Sequence, residues 1–205
     1  MRIIAVGIDN GVSGAVTAVD ENLKVIGWWD TPIITQKKGK TPSGRTKTRN
    51  EYATAEMGKI LRYLVEFDPS EGVHLMIWIE KAFPMQKQGL SSTFKTGQGF
   101  GLWEGICIGL GIKYDIVSPR AWQKEVLADM PAGDPKARSM GKCQRIFPEI
   151  PLKLPKGRKL TMDGRADSAM IAYYGALKMK GGKDEPAQQG KTPPPRRPIR
   201  RASRI

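Results

Sequence analysis

Three carboxylates stand where apolar runs of this chain end or turn, and their placement restricts what the chain can fold into. Asp9 closes the run Ile3-Ile4-Ala5-Val6-Gly7-Ile8, and Glu80 closes Leu75-Met76-Ile77-Trp78-Ile79. Asp167, with Asp163 four residues before it, opens the apolar pattern Ala169-Met170-Ile171-Ala172-Tyr173-Tyr174. Short apolar runs bounded by turns read as buried strands, and the longer third pattern reads as a helix. Strand end, strand end and helix start are the places from which an α/β sheet gathers acids into one cluster, because neighbouring strands lie roughly 4.8 Å apart.

The surroundings of these acids are strongly basic. The chain has 205 residues, with 34 Lys and Arg against 20 Asp and Glu, for a net charge of +14. That length suffices for one domain with a core. The charge favours a polyanionic partner, most often nucleic acid, since each neutralised phosphate releases condensed counterions. A ribosomal or chromatin-type packing protein would share the charge but has no use for acids at strand ends. Two widely separated cysteines, Cys107 and Cys143, and a single histidine, His74, exclude zinc fingers and histidine-based nucleases and fit a reducing compartment. No stretch approaches the roughly 18 apolar residues of a membrane span. Met1 runs almost directly into the first expected strand, which leaves no room for a leader. The expected location is the cytoplasm or nucleoid, or the host cytoplasm if the chain is phage-encoded.

Along the chain, residues 2 to 31 read as three strands with tight turns, hence antiparallel neighbours. Residues 36 to 50 read as a polar loop carrying Lys37, Lys38, Lys40, Arg45, Lys47 and Arg49, with no acid before Glu51. Tyr52, Glu56, Met57, Ile60, Leu61, Leu64 and Val65 follow at helical spacing. Val73 to Glu80 is apolar enough for a central strand covered on both faces. A second polar loop is expected over 81 to 99, a glycine-dotted helix over 101 to 109, and a fifth strand over 112 to 117. Ser118-Pro119 and Asp134-Pro135 each start a helix, with proline in the favoured first position. The last helix starts at Asp163 or Gly164 and stops at Gly181-Gly182. This order predicts an α/β layered domain with a mixed sheet over residues 1 to 180. From 181 to 205 the composition turns Pro- and Arg-rich with almost nothing apolar, as expected of a disordered basic tail.

Clustered carboxylates raise one another's pKa and call for a cation. Oxygen-only donors select Mg²⁺ or Mn²⁺ rather than zinc. Two such ions, about 4 Å apart, can activate a water and stabilise the leaving oxygen of a phosphodiester. On this reading Asp9 bridges the ions, Glu80 holds one side, and Asp167 with Asp163 holds the other. Each acid alone also fits an ordinary structural role. Asp9 before Asn-Gly could be a turn residue, Glu80 a solvated strand end, and Asp163 a helix cap. Three acids at three such junctions in a basic chain favour a site.

Ile8-Asp9-Asn10-Gly11-Val12-Ser13-Gly14-Ala15, Ile79-Glu80-Lys81, Val117-Ser118-Pro119-Arg120-Ala121-Trp122-Gln123-Lys124 and Asp163-Gly164-Arg165-Ala166-Asp167-Ser168-Ala169 together resemble the RuvC-type Holliday junction resolvases. The resemblance is closest to the phage and plastid-like branch and spans residues 2 to 178. It implies an RNase H-like mixed five-stranded sheet flanked by helices, a homodimer, Mg²⁺ dependence, and paired symmetric nicks in four-way DNA junctions. It carries catalytic roles onto Asp9, Glu80 and Asp167. In the bacterial pattern a further acid or histidine lies three residues before the last acid. Here that position is Gly164, and the nearest acid is Asp163.

For DNA contact, the loop after Glu80 offers Lys81, Phe83, Lys87, Phe94 and Lys95, where aromatics between cations suit a distorted junction. Phe94 is the ring expected to be exposed, while Phe83 could equally pack beneath the loop. The Lys37 to Arg49 loop is expected along a duplex arm. Lys124, Lys136, Arg138 and Lys142 either extend the footprint or form a solvated helix face. Gly101, Gly105 and Gly109 suit either a two-fold dimer seam or close packing on the sheet. Two other functions compete. Asp9 to Gly14 also resembles the first phosphate loop of actin-like and sugar-kinase ATP-binding proteins, although no second such loop is found. A noncatalytic junction-binding protein is the other.

Overall fold

A computed structural model describes residues 2–66, 73–83, 89–152 and 162–181. A five-stranded sheet forms its centre, built from β1 (Arg2–Ile8), β2 (Ala15–Asp20), β3 (Val25–Asp30), β6 (Val73–Glu80) and β7 (Tyr114–Val117) in the spatial order β3-β2-β1-β6-β7. The first three strands are antiparallel, and β6 and β7 join parallel to β1. This is the mixed sheet that the run of short turns followed by helical crossovers predicts. β4 (Ile33–Lys40) and β5 (Thr46–Tyr52) form a separate two-stranded ribbon. The helices are α1 (Thr54–Glu66), α2 (Leu90–Leu110), α3 (Pro119–Val126), α4 (Pro135–Ile146) and α5 (Asp163–Lys180).

Strand alternation divides the core. Ile4, Val6 and Ile8 point to the layer of α1 and α2, where Met57, Leu61, Leu64, Trp103 and Cys107 meet them. Ala5 points the other way, to Trp122, Phe147, Ala169 and Ala172 of the α3–α5 layer. Burying each large aliphatic here contributes about 2 kcal/mol. The residues that face α5 are small because the helix lies directly on the sheet. A Cβ placed on Gly7 would stand 2.1 Å from the Ser168 carbonyl oxygen and 2.3 Å from the Ala172 nitrogen, both backbone atoms. Gly175 gives way in the same manner to the ring of Trp78. The Thr17 and Ser168 hydroxyls, 2.9 Å apart, tie the helix to β2.

Helix ends follow local chemistry. Ser118 and Asp134 accept hydrogen bonds from the Ala121 and Ala137 N–H groups, each with proline next in the chain. Gly111, at φ 66°, closes α2 in the left-handed conformation.

Four expectations need correction. Residues 36–50 are a ribbon rather than a loop, because β-branched Ile33, Ile34, Thr35, Thr46 and Thr48 and a Pro-Ser-Gly turn act where apolar alternation is missing. Tyr52 ends β5 and does not begin α1. α2 begins at Leu90, not near 101; its polar first turns follow Gly89, which supplies no side-chain cap. The last strand starts at Tyr114 rather than 112, because the Ile112 N–H is still bonded to the Cys107 carbonyl at the end of α2. Both cysteines are buried, and burial pushes each thiol up to about 12, in keeping with core roles. Among the described residues no helix is long and apolar enough to cross a membrane. The expected tail, from residue 182 on, and Lys87 lie outside the described residues.

Candidate active site

The register of β1 on β6 brings the first two acids together. Ile8 pairs with Ile79 in the parallel ladder, so Asp9 and Glu80 leave adjacent strand ends side by side. By alternation both belong to the face covered by α5, as Gly7 and Trp78 do. The close approach of α5 at Gly7 then delivers Asp167, the neighbour of Ser168, to the same spot.

Each carboxylate is held by a named partner. The Gly11 N–H donates to Asp9 Oδ1 at 3.1 Å within the Asp9–Gly14 turn. The indole N–H of Trp122, a fully buried residue of α3, donates to Glu80 Oε1 at 2.8 Å. The Asn10 amide donates to the Glu80 carbonyl oxygen. Lys136 of α4 pairs with Asp163. Arg165 clamps the first turn of α5 to the sheet edge. Its guanidinium donates to both Asp30 oxygens at 2.5 and 2.6 Å and to the Pro151 carbonyl at 2.8 Å, and it lies 4.2 Å from the centre of the Trp28 ring.

The acids are electrostatically one group. Burial raises Asp9 from 3.8 to about 6, opposed by the Gly11 N–H, with Asp163 adding to the rise and Lys136 opposing it. Burial and then the charge of Asp9 raise Glu80 from 4.5 to about 8; Trp122 opposes this and Asp167 adds to it. Burial also raises Asp167 to about 7. Ser139 opposes that rise, with Asp9 and Asp163 adding to it, although the buried Ser139 hydroxyl meets no partner in full hydrogen-bond geometry. Lys136 feels Asp163, Asp167 and Asp9, which raise its pKa.

Three half-buried carboxylates with elevated pKa values and only oxygen donors fit a hard divalent cation. Among the described residues, no three acid, imidazole or thiol side chains yet converge as a finished metal cage. Asp9, Glu80 and Asp167 lie within electrostatic reach of one another, and Asp163 is engaged by Lys136.

These shifts predict the stability of the metal-free protein. A carboxyl whose folded pKa is raised adds stability that is fully present below its unfolded value near 4 and is lost as pH rises through the folded value. The melting temperature in EDTA should therefore fall as pH rises from about 4 to about 8, and Asp167→Asn should flatten that fall. Mg²⁺ should stabilise more at the alkaline end. A melting temperature independent of pH over this window would contradict the buried cluster.

Position 164 cannot supply a ligand. A Cβ there would lie 2.3 Å from the Ser13 carbonyl oxygen, 2.7 Å from Gly14 Cα and 3.1 Å from Asp9 Oδ2. The same contact covers the Asp9–Gly14 turn with α5.

The expected DNA-contacting residues fall into three places. Lys37, Lys38, Lys40, Arg45, Lys47 and Arg49 are all exposed on the β4–β5 ribbon. Lys81 and Phe83 follow Glu80 directly, with the ammonium 5.2 Å from the ring centre, and Phe83 is exposed. Phe94 is 69% exposed, on helix α2 rather than a loop. Lys95 is committed internally, to Glu51 at 2.8 Å and to the Asn50 carbonyl. Lys124 is exposed on α3.

Sequence reasoning did not single out Trp122, Asn10 or Arg165, although all three sit inside the motifs quoted above. It treated Lys136 as surface charge because only the fold brings α4 against Asp163.

No family model matches the sequence, and comparison with curated proteins finds no match. Solved structures do match. The chain is similar to RuvC of Thermus thermophilus in complex with a Holliday junction substrate, at 12% identity over 89% of this chain and 96% of that one, with a TM-score of 0.50. It is also similar to a second T. thermophilus RuvC structure, at 15% identity over 88% of this chain and 97% of that one, with a TM-score of 0.44. The fold is therefore RuvC-like, of the RNase H type.

Proposed function

We propose that this chain is a divalent-metal-dependent endonuclease that cuts four-way DNA junctions by paired symmetric nicks. The observation that carries this reading is the electrostatic proximity of three half-buried carboxylates, from β1, β6 and α5, at one end of a RuvC-like sheet in a strongly basic chain. Asp9, Glu80 and Asp167 would hold two Mg²⁺ or Mn²⁺ ions. Bound there, the ions supply an activated water and charge neutralisation at the leaving oxygen.

The chain's own residues prepare that site. The Gly11 N–H fixes one oxygen of Asp9, and Trp122 fixes one oxygen of Glu80, so each carboxylate offers its second oxygen in a set direction. Lys136 keeps positive charge beside Asp163, Asp167 and Asp9. Asp163 becomes a fourth ligand only by leaving Lys136. The ribbon cations, Lys81 and Lys124 contact phosphates, and the exposed rings of Phe83 and Phe94 stack at the crossover.

Two symmetric cuts need two copies of the site. α2 offers a seam: Leu90, Phe94 and Ile108 are exposed, and Gly97, Gly101, Gly105 and Gly109 have open space where a Cβ would go. Those glycines do not serve packing on the sheet, which favours the dimer. Gly105→Arg should therefore fold normally, as helix propensity improves, yet halve the mass measured by light scattering. An unchanged mass, dimeric or monomeric, would remove α2 from the seam.

The function is tested by incubating the protein with an end-labelled synthetic four-way junction, with and without Mg²⁺, and mapping the cuts. Symmetric nicks in opposed strands are expected only with Mg²⁺. No cutting, or equal cutting of linear duplex, would overturn the reading.

A further inference from the structure

The β4–β5 ribbon is the part of this molecule least explained by folding. Residues 33–50 are exposed on both faces apart from Thr41, and the two strands pair only with each other. An isolated two-stranded ribbon is marginal in water, yet this one has a defined register, with one bulge at Gly39 (φ 94°), and a closed turn. Thr41 and Arg45 close a Pro42-Ser43-Gly44 turn, with the Thr41 N–H bonded to the Arg45 carbonyl at 2.7 Å and Gly44 at φ 78°. That is a three-residue hairpin loop ending in a left-handed glycine.

Its charge is one-sided in sign and two-sided in space. Between Ile33 and Tyr52 there are six cations and one acid. Arg49 pairs across from Gln36, and Lys37 from Thr48, so successive pairs present cations to opposite faces. The single acid, Glu51, is bound at the base by Arg49 and Lys95. A ribbon charged on both faces suits a groove with phosphates on either wall, and the major groove, about 12 Å wide, admits a two-stranded ribbon.

Its base is fixed to the acid cluster. The Tyr52 hydroxyl donates to the Lys95 carbonyl at 3.0 Å and to the Asn10 carbonyl at 3.3 Å, and the Asn10 side chain reaches the Glu80 carbonyl. Gly99 of α2 closes on this knot, where a Cβ would stand 2.3 Å from the Tyr52 hydroxyl. The ribbon thus starts at the candidate scissile position and extends from it by the length of its strands. Eight residues in β4 reach about 26 Å, which is about 8 base pairs of duplex.

We propose that the ribbon is a stiff ruler lying in the major groove of one duplex arm, so that productive engagement requires about 8 paired bases from the cut. This rests on the junction-DNA reading above, but its test does not need cutting. Affinity is measured by fluorescence anisotropy in EDTA, on four-way junctions whose arms run from about 4 to about 20 base pairs and are closed by loops so that short arms stay paired. Affinity should rise with arm length, reach a plateau near 8 base pairs, and fall about tenfold below it. Deleting the cross-strand pairs Gln36–Arg49 and Lys37–Thr48 shortens the ribbon by two residues per strand without exchanging its faces. The plateau should then move down by about 2 base pairs. Should that variant misfold, the combined Lys38→Ser, Lys40→Ser and Lys47→Ser variant keeps the backbone and should abolish the step.

A wild-type affinity independent of arm length, or a plateau unmoved in both variants, would overturn the ruler even if the protein cuts junctions. A step that shifts as stated, in a protein that never cuts with Mg²⁺, would leave the ruler standing and overturn the nuclease.

Discussion

Asp9→Asn is expected to lower Mg²⁺-dependent junction cutting by about a thousandfold or more while junction affinity in EDTA stays within about twofold. Asp9 is the half-buried acid whose charge acts on both of the others: it raises Glu80 and Asp167. Asparagine keeps the shape and an oxygen for the Gly11 N–H, but it removes the negative charge that a bridging ligand needs. The cations proposed to contact DNA lie elsewhere, on the ribbon, at Lys81 and at Lys124, so binding should be spared. A second readout separates this from misfolding. Removing a buried charge should raise the melting temperature in EDTA at alkaline pH, where Asp9 is ionised and costly to bury. Rates come from single-turnover cleavage of a labelled junction. Cutting at near wild-type rate would remove Asp9 from the metal site.

Gly164→Asp, which restores the acid three residues before Asp167, should damage the protein rather than strengthen its site. The new Cβ would meet the Ser13 carbonyl and Gly14 Cα, both backbone atoms that cannot rotate aside. α5 would have to lift from the Asp9–Gly14 turn and carry Asp167 away from Asp9. The expected loss is about 3 kcal/mol of stability, with cutting reduced at least about a hundredfold as the carboxylates separate. Gly164→Ala should do nearly as much, because the Cβ alone makes the clash. Asp163→Asn should leave the fold intact, since Asp163 lies at the helix entrance facing Lys136. Thermal melts and single-turnover rates decide it. A Gly164→Ala variant with wild-type stability and rate would show that α5 does not sit where the contact requires.

The strand-and-helix order and the apolar ends that carry Asp9, Glu80 and Asp167 were legible because burial imprints periodicity on a sequence. The ribbon was not, because Lys37, Lys38 and Lys40 break alternation, Arg45 to Arg49 alternates charge with threonine, and neither strand buries anything that a pattern could register before Tyr52. The start of α2 was hidden for a related reason: Ser91, Ser92 and Thr93 look like loop residues, and Gly89 announces no helix. The supports of the site were illegible in a different way. Trp122 and Arg165 stand inside the quoted motifs with nothing to mark them, Lys136 reads as surface charge, and Gly164 as a helix entry. Their roles arise only when α3, α4 and α5 meet the strand ends, through contacts spanning 42 residues for Trp122 and Glu80 and 135 for Arg165 and Asp30. Local pattern has no access to such separations.

The central claim is that the acids of β1, β6 and α5 form one divalent-ion site. Crystals grown with Mn²⁺ and measured at its absorption edge test this most directly. Anomalous peaks within coordination distance of Asp9, Glu80 and Asp167, lost in Asp9→Asn, are predicted. Full Mn²⁺ occupancy elsewhere on the molecule, with no peak beside these three carboxylates, would contradict the account.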